Sequence, residues 1–191
     1  MTERPPVVAH PHTEPPAIPS LDVARVQTER LVLEPLRPGD FDALYALHTH
    51  PQVMPTLWAR PEPPTRRQVA DQLQAKIEHW ERHGFGYWLA RDRSTGAVVG
   101  RGGPQHTFLG GLYAVEVGWA IAPERWGQGL ATELARAAVQ TAFGPLRLRE
   151  LIALALPENL ASRRVMEKTG FAYEREVEYH ELRHVLYRLR R

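Results

Sequence analysis

From Thr28 the chain runs Thr-Glu-Arg-Leu-Val-Leu-Glu-Pro-Leu, and the alternation at Leu31 and Leu33 predicts a strand that stops near Pro35. Asp40 stands where an N-cap belongs, ahead of a short helix carrying Phe41, Leu44, Tyr45 and Leu47. A loop punctuated by Pro51, Pro55, Pro61, Pro63 and Pro64 follows. Val69, Leu73, Ile77 and Trp80 then recur at helical spacing over residues 66–83, and Gly84 ends that helix. Residues 87–91 and 97–101 read as short strands around a glycine-containing hairpin loop, and 114–122, the most apolar stretch, as a central strand. After Pro123 two adjacent four-residue rows, Leu130, Leu134, Ala138, Ala142 and Ala131, Ala135, Val139, Phe143, predict a helix packed on a sheet. A strand at 148–156 and a helix bracketed by Asn159 and Gly170 follow, and strands at 171–179 and 185–189 close the chain. This order is α/β with a mixed sheet.

Composition adds boundaries. Pro5, Pro6, Pro11, Pro15, Pro16 and Pro19 crowd a start with almost nothing large and apolar, so 1–26 is expected to be an extended tail and 27–191 one domain. A proline-rich ligand for a partner domain shares that composition. A chain of 191 residues buries about 70% of its unfolded surface, and 43% hydrophobic residues supply a core for it. The absence of cysteine excludes disulfides, thiolate metal sites and thiol nucleophiles, and fits a reducing compartment. No apolar run approaches a membrane span and no signal-peptide core opens the sequence, so a cytoplasmic protein without a membrane partner is expected. A net charge of +2 is too small to argue for nucleic acid.

The chemistry gathers where the central strand runs through Trp126-Gly127-Gln128-Gly129 into the amphipathic helix. Helix N-termini carry unpaired N–H groups and partial positive charge, and glycine lets an anion approach the backbone, so this is a candidate phosphate cradle. It has neither the lysine of a Walker loop nor the spacing of a dinucleotide fingerprint. With Glu116-Val117-Gly118-Trp119-Ala120-Ile121-Ala122-Pro123 before it, the segment resembles the acetyl-coenzyme-A-binding motif of the GNAT (general N-acetyltransferase) superfamily. Thr28-Glu29-Arg30-Leu31, Asn159-Leu160-Ala161-Ser162 and Lys168-Thr169-Gly170-Phe171 are similar to the ribosomal-protein alanine N-acetyltransferase branch. The resemblance covers roughly residues 28–189 and implies a mostly antiparallel mixed sheet, helices on both faces and a splayed central strand pair.

It also implies a site. Acetyl-CoA as cosubstrate would meet the amides of Gly127, Gln128, Gly129, Leu130 and Ala131, helped by Arg125, with Trp126 where the family expects Gln or Arg. Its pantetheine arm falls on the backbone of Trp119, Ala120 and Ile121 and on Asn159. A primary amine then attacks the thioester directly. Freeing its proton at pH 7 costs about 1 kcal/mol for an α-amine and over about 4 for a lysine-like amine, so a protein N-terminus is slightly favoured over a small molecule. Glu116 is the candidate base, with His106 in reserve. Met166 stands where many members place a tyrosine acid, which leaves Ser162 to stabilise the thiolate. A non-catalytic CoA-binding module is the alternative reading.

His180-Glu181-Leu182-Arg183-His184 also fits the zinc-protease signature, but Val185 to Leu189 alternates like a strand and no further ligand follows, so no metal is expected. His79 and His83 read as a solvated helix edge. The exposed strand edges allow a monomer or a homodimer.

Overall fold

The computed structural model describes residues 23–57 and 62–191. Most of the expected proline-rich tail, residues 1–22, and Pro61 of the proline loop lie outside the described residues. Eight strands form one sheet in the order β1-β2-β3-β4-β5-β6-β8-β7. They are β1 (Val26–Gln27), β2 (Leu31–Pro35), β3 (Trp88–Asp92), β4 (Val98–Leu109), β5 (Leu112–Ile121), β6 (Glu150–Ala155), β7 (Ala172–Tyr179) and β8 (Leu182–Arg190). Among the described residues only β5 and β6 pair in parallel. The helices are α1 (Phe41–Thr49), α2 (Met54–Leu57), α3 (Arg66–His83), α4 (Leu130–Phe143) and α5 (Leu160–Lys168).

Both sheet faces are covered, and β3 shows why. Trp88 and Ala90 point into a core with Leu130, Leu134, Ala138 and Ala142 of α4, while Tyr87 and Leu89 point the other way, against Leu44 of α1 and Val69 and Leu73 of α3. The α3 start is fixed by a capping box between Thr65 and Gln68, and its end by Gly84 at φ 70°. Asp40 precedes α1 as expected, yet its side chain does not cap it: the carboxylate accepts from Arg37 N at 2.8 Å and pairs with Arg91 at 3.2 Å. Val23 is buried and its carbonyl accepts from Trp88 Nε1 at 3.1 Å, so the described chain is tied down earlier than the expected domain start.

The main departure from the sequence reading is β4. The sequence reading ended this strand at Arg101, but it continues through Gly102-Gly103-Pro104 to Leu109 and turns through Gly110 and Gly111, both at positive φ, into β5. The glycines are required because β5 comes close: a Cβ on Gly102 would lie 2.5 Å from the Gly118 carbonyl. Pro104 is tolerated because β3 pairing has already ended at Gly102, so the edge its nitrogen faces carries no ladder. Gly102→Ala is expected to cost about 1–3 kcal/mol, whereas Gly39→Ala, with nothing within 4 Å, should be neutral or stabilising. Urea denaturation midpoints check the pair; equal midpoints would mean that β4 and β5 are not in tight contact.

Candidate active site

β5 is laddered to β4 along its length but touches β6 through one bridge, Glu116 with Ile152. Beyond that bridge the two parallel strands part. Backbone groups alternate sides along a strand. Ala122 N bonds Val99 O, and the carbonyls of Ala120 and Gly118 lie against Gly100 and Gly102 of β4. Val117, Trp119 and Ile121 therefore face the opening towards β6. Of the three residues expected along the pantetheine arm, Trp119 and Ile121 have their backbone turned to the opening, whereas the Ala120 backbone is spent on β4 and its side chain is buried with Leu47 and Val53. The Ile121 carbonyl is met by Trp126 Nε1 at 2.7 Å, which gives the indole a polar task although the ring stays half exposed.

At the end of β5 the chain makes a short 3-10 turn (Pro123–Arg125) and enters α4 through Gly127 at φ 73° and Gly129 at φ 79°. A Cβ is strained in that region, so the turn selects glycine at both places. Among the described residues the amides of Gly127, Gln128, Gly129, Leu130 and Ala131 have no acceptor, and the first bond of the α4 end runs from Glu133 N to Gly129 O. Residues 126–129 are exposed. The loop thus offers successive free N–H groups at the positive end of a 14-residue helix.

What holds the loop is Thr28-Glu29-Arg30, a motif noticed in the sequence but given no task there. Arg30 donates through NH1 to the Gln128 carbonyl at 2.7 Å and through Nε to Glu133 Oε2 at 2.7 Å. Glu133 also accepts from Thr28 Oγ1 at 2.6 Å and from Arg30 N at 2.8 Å. Burial works to raise the Glu133 carboxyl pKa, but these donors outweigh it and hold it below its ordinary value. Arg125, expected to help a phosphate, is instead paired with Asp92, whose other oxygen accepts from Ser94 N at 3.0 Å and Thr95 N at 3.1 Å. That pairing corrects the expectation, since the guanidinium is neutralised within the fold.

The expected catalytic residues meet in one cavity of about 470 Å³, lined by Glu116, Trp119, Asn159 and Ser162 together with groups from α1, α3, β4, β7 and β8. Residues 120, 121 and 125–131 do not line it. Asn159 caps α5, its Oδ1 accepting from Ser162 N at 3.0 Å, which leaves its amide NH2 as a spare donor. Glu116 is buried; desolvation pushes its carboxyl up, against the charge of Lys76, a hydrogen bond from Gln105 and the charges of Arg101 and His184. Met166 is packed in the core.

Two histidine expectations change, that for His79 with His83 and that for His106, while the His180 segment is a hairpin as its sequence suggested. His180 and Glu181 have φ 49° and 63° and form the two-residue turn between β7 and β8, with His184 on β8, so the zinc-protease signature is not helical and its spacing creates no shared face. His83 is buried, and His79 is far from a solvated edge: its Nδ1 lies 2.8 Å from Phe85 O and its Nε2 accepts from His106 N at 3.0 Å. These contacts join His79, His83 and His106 in a ring cluster away from the cavity, which removes His106 as a reserve base. The sequence reading missed Lys76, Tyr87, Arg101 and Tyr179, all lining the cavity. The readable signal was Lys76, a cation on the apolar row of α3 three residues after Leu73.

Residues 30–172 match the family model of the acetyltransferase (GNAT) domain, and the chain belongs to that family. It is 30% identical over 112 residues to the uncharacterized protein YkkB of Bacillus subtilis, 59% of this chain and 65% of that one. It is 31% identical over 109 residues to the probable N-acetyltransferase YjcK of the same organism, 57% and 59% of the two chains. The match thus spans less than two thirds of either relative. Among solved structures, an acetyltransferase from Agrobacterium tumefaciens superposes with a TM-score of 0.77 at 25% identity, covering 90% of this chain and 96% of that one.

Arg30→Met removes the bond to the Gln128 carbonyl and unpairs Glu133. It is expected to lower stability by about 1–2 kcal/mol and to raise the dissociation constant for coenzyme A several-fold. Calorimetric titration reads the second effect; unchanged coenzyme A affinity would mean that the loop holds its shape unaided. Because Glu133 is depressed, its share of stability is present above the ordinary glutamate pKa and fades as pH falls through the lowered one, and the variant loses that dependence.

Proposed function

We propose that the chain is an acetyl-CoA-dependent N-acetyltransferase acting on a primary amine. The observation that carries this reading is the row of unpaired amides between Gly127 and Ala131 at the mouth of the opening between β5 and β6. Those amides would hold the diphosphate. The Trp119 backbone, the Ile121 N–H and the Asn159 amide would hold the pantetheine arm, as an extra strand adds to an unpaired edge. Acetyl-CoA supplies an activated thioester carbonyl, and the remaining tasks belong to the protein.

Glu116, at the bridge where the strands begin to part, takes the amine's proton directly or through water. A buried carboxylate with a raised pKa is a stronger base than a solvated one, which suits this task. The Ser162 hydroxyl, one turn into α5 and on the same cavity, stabilises the departing thiolate. A protein N-terminal α-amine is the favoured acceptor over a small-molecule amine, on its easier deprotonation and on the motifs shared with the ribosomal-protein alanine acetyltransferase branch. A cytoplasmic setting is in keeping with this; no described helix is long and apolar enough to cross a membrane. Core packing of Met166, where a tyrosine acid is usual, favours a second reading as a non-catalytic coenzyme A carrier.

Release of free coenzyme A from acetyl-CoA in the presence of amines separates the two. Glu116→Gln is expected to lower kcat by about 10²–10⁴-fold with coenzyme A affinity retained in calorimetry; full turnover would remove Glu116 from the role. In the parent protein kcat/KM should rise with pH through an apparent pKa above the ordinary carboxylate range, because only ionised Glu116 accepts a proton.

A further inference from the structure

We propose that the acceptor amine carries a carboxylate close to the reacting nitrogen, and that Lys76 and Arg101 bind it. This rests on the transferase reading and names the substrate class of the same cavity. Besides histidines, one acidic and two basic side chains line the cavity: Glu116, Lys76 and Arg101. Lys76 Nζ donates to Gln105 Oε1 and lies 4.6 Å from the Tyr87 ring centroid, and Arg101 Cζ lies 5.0 Å from the centroid of the same ring. Arg101 Nε donates to His48 Nε2 at 3.3 Å. His48 accepts in its neutral form, since burial and the nearby Arg101 charge lower its pKa to about 3.

Neither cation has an ion-pair partner within 4.0 Å among the described residues, whereas Arg30, Arg91, Arg125 and Arg188 each have a carboxylate. Burial and the charge of Arg101 lower the Lys76 pKa to about 8, with Glu116 opposing, so the two positive charges already strain against each other. With Glu116 ionised, as base catalysis requires, the cavity holds two cations against one anion. A second anion placed beside the two cations gives them the counter-charge that Glu116 alone does not supply, and buried charge is stable only when matched. The diphosphate is not that anion, because residues 125–131 do not line this cavity. An acceptor whose ammonium faces Glu116 and whose carboxylate faces Lys76 and Arg101 sets an opposite charge beside each of these groups and adds no net charge of its own. A diamine or an amine ester adds its own positive charge to that excess and brings no anion to meet the two cations. A volume of about 470 Å³ admits a free amino acid or the first residues of a peptide with an acidic side chain.

The test measures coenzyme A release with matched acceptors in two arms. One compares free α-amino acids with their amides and methyl esters; the other compares short peptides bearing Asp or Glu at the second position with the same peptides bearing Asn or Gln. The expected result is at least a tenfold preference in kcat/KM for the acid in one arm, and that arm tells a small molecule from a protein N-terminus. K76M and R101M are each expected to move the acid-to-neutral ratio towards one, with melting curves confirming that each variant is folded. Neutral acceptors used as well as acids in both arms overturn the inference while leaving acetyl transfer intact, and so does a ratio unchanged in folded K76M. Binding of coenzyme A without release of it from acetyl-CoA for any amine sinks the transferase reading, and this one with it.

Discussion

The structure depends on a sheet that fails to close at its centre. β5 and β6 are held by a single bridge at Glu116 and Ile152, and past it three residues of β5 face an opening instead of a neighbour. Backbone groups left without partners in a sheet interior are unfavourable, so the gap persists only because the fold supports both of its walls. β4 ladders the far side of β5 down to Ile121, α4 packs beneath both strands, and β8 holds the outer edge of β6 along its full length. The indole of Trp126 satisfies one of the stranded carbonyls. The bridge also fixes where chemistry is possible, since Glu116 sits at the vertex of the opening. A carboxylate there is buried by the same packing that holds the strands apart, and that burial raises its pKa.

Most of the architecture was legible from periodicity and punctuation. The α3 helix runs over the residues that its apolar row and Gly84 predicted, because a 3.6-residue repeat flanked by a cap and a left-handed glycine has few alternative readings. The strand β4 was not legible beyond Arg101, because Gly-Gly-Pro is ordinarily a break; only the approach of β5 and the early end of β3 pairing make it a strand. Gly110-Gly111 was a readable hairpin turn that passed unread. At the site, local motifs located Glu116, Trp119, Asn159 and Ser162, which the fold brings to one cavity. Ala120 went astray because a run of strand residues cannot all face one edge, and Arg125 because nothing local announced Asp92, 33 positions earlier, as its partner. Lys76 and Arg101 come from different layers, and their meeting over the Tyr87 ring is a product of tertiary packing that no local pattern encodes.

The histidines make the same point. His180 and His184 hold a spacing that on a helix would set both rings on one face, but the chain there is a hairpin and the spacing loses its meaning. His79 and His83, dismissed as surface, stand with Phe85 and His106 in a packed aromatic group, and burial lowers the His79 pKa to about 4, so its ring is neutral at neutral pH. A motif carries chemistry only through the element that displays it.

The arginines around the glycine loop have a consequence for how a cofactor would be held. Arg30 is committed to Glu133 and Arg125 to Asp92, so neither guanidinium is left to an anion alone, and the nearest attraction the loop offers comes from its amide dipoles. On the proposed reading, selectivity among anions at this loop rests on the curvature of the backbone that presents its N–H groups.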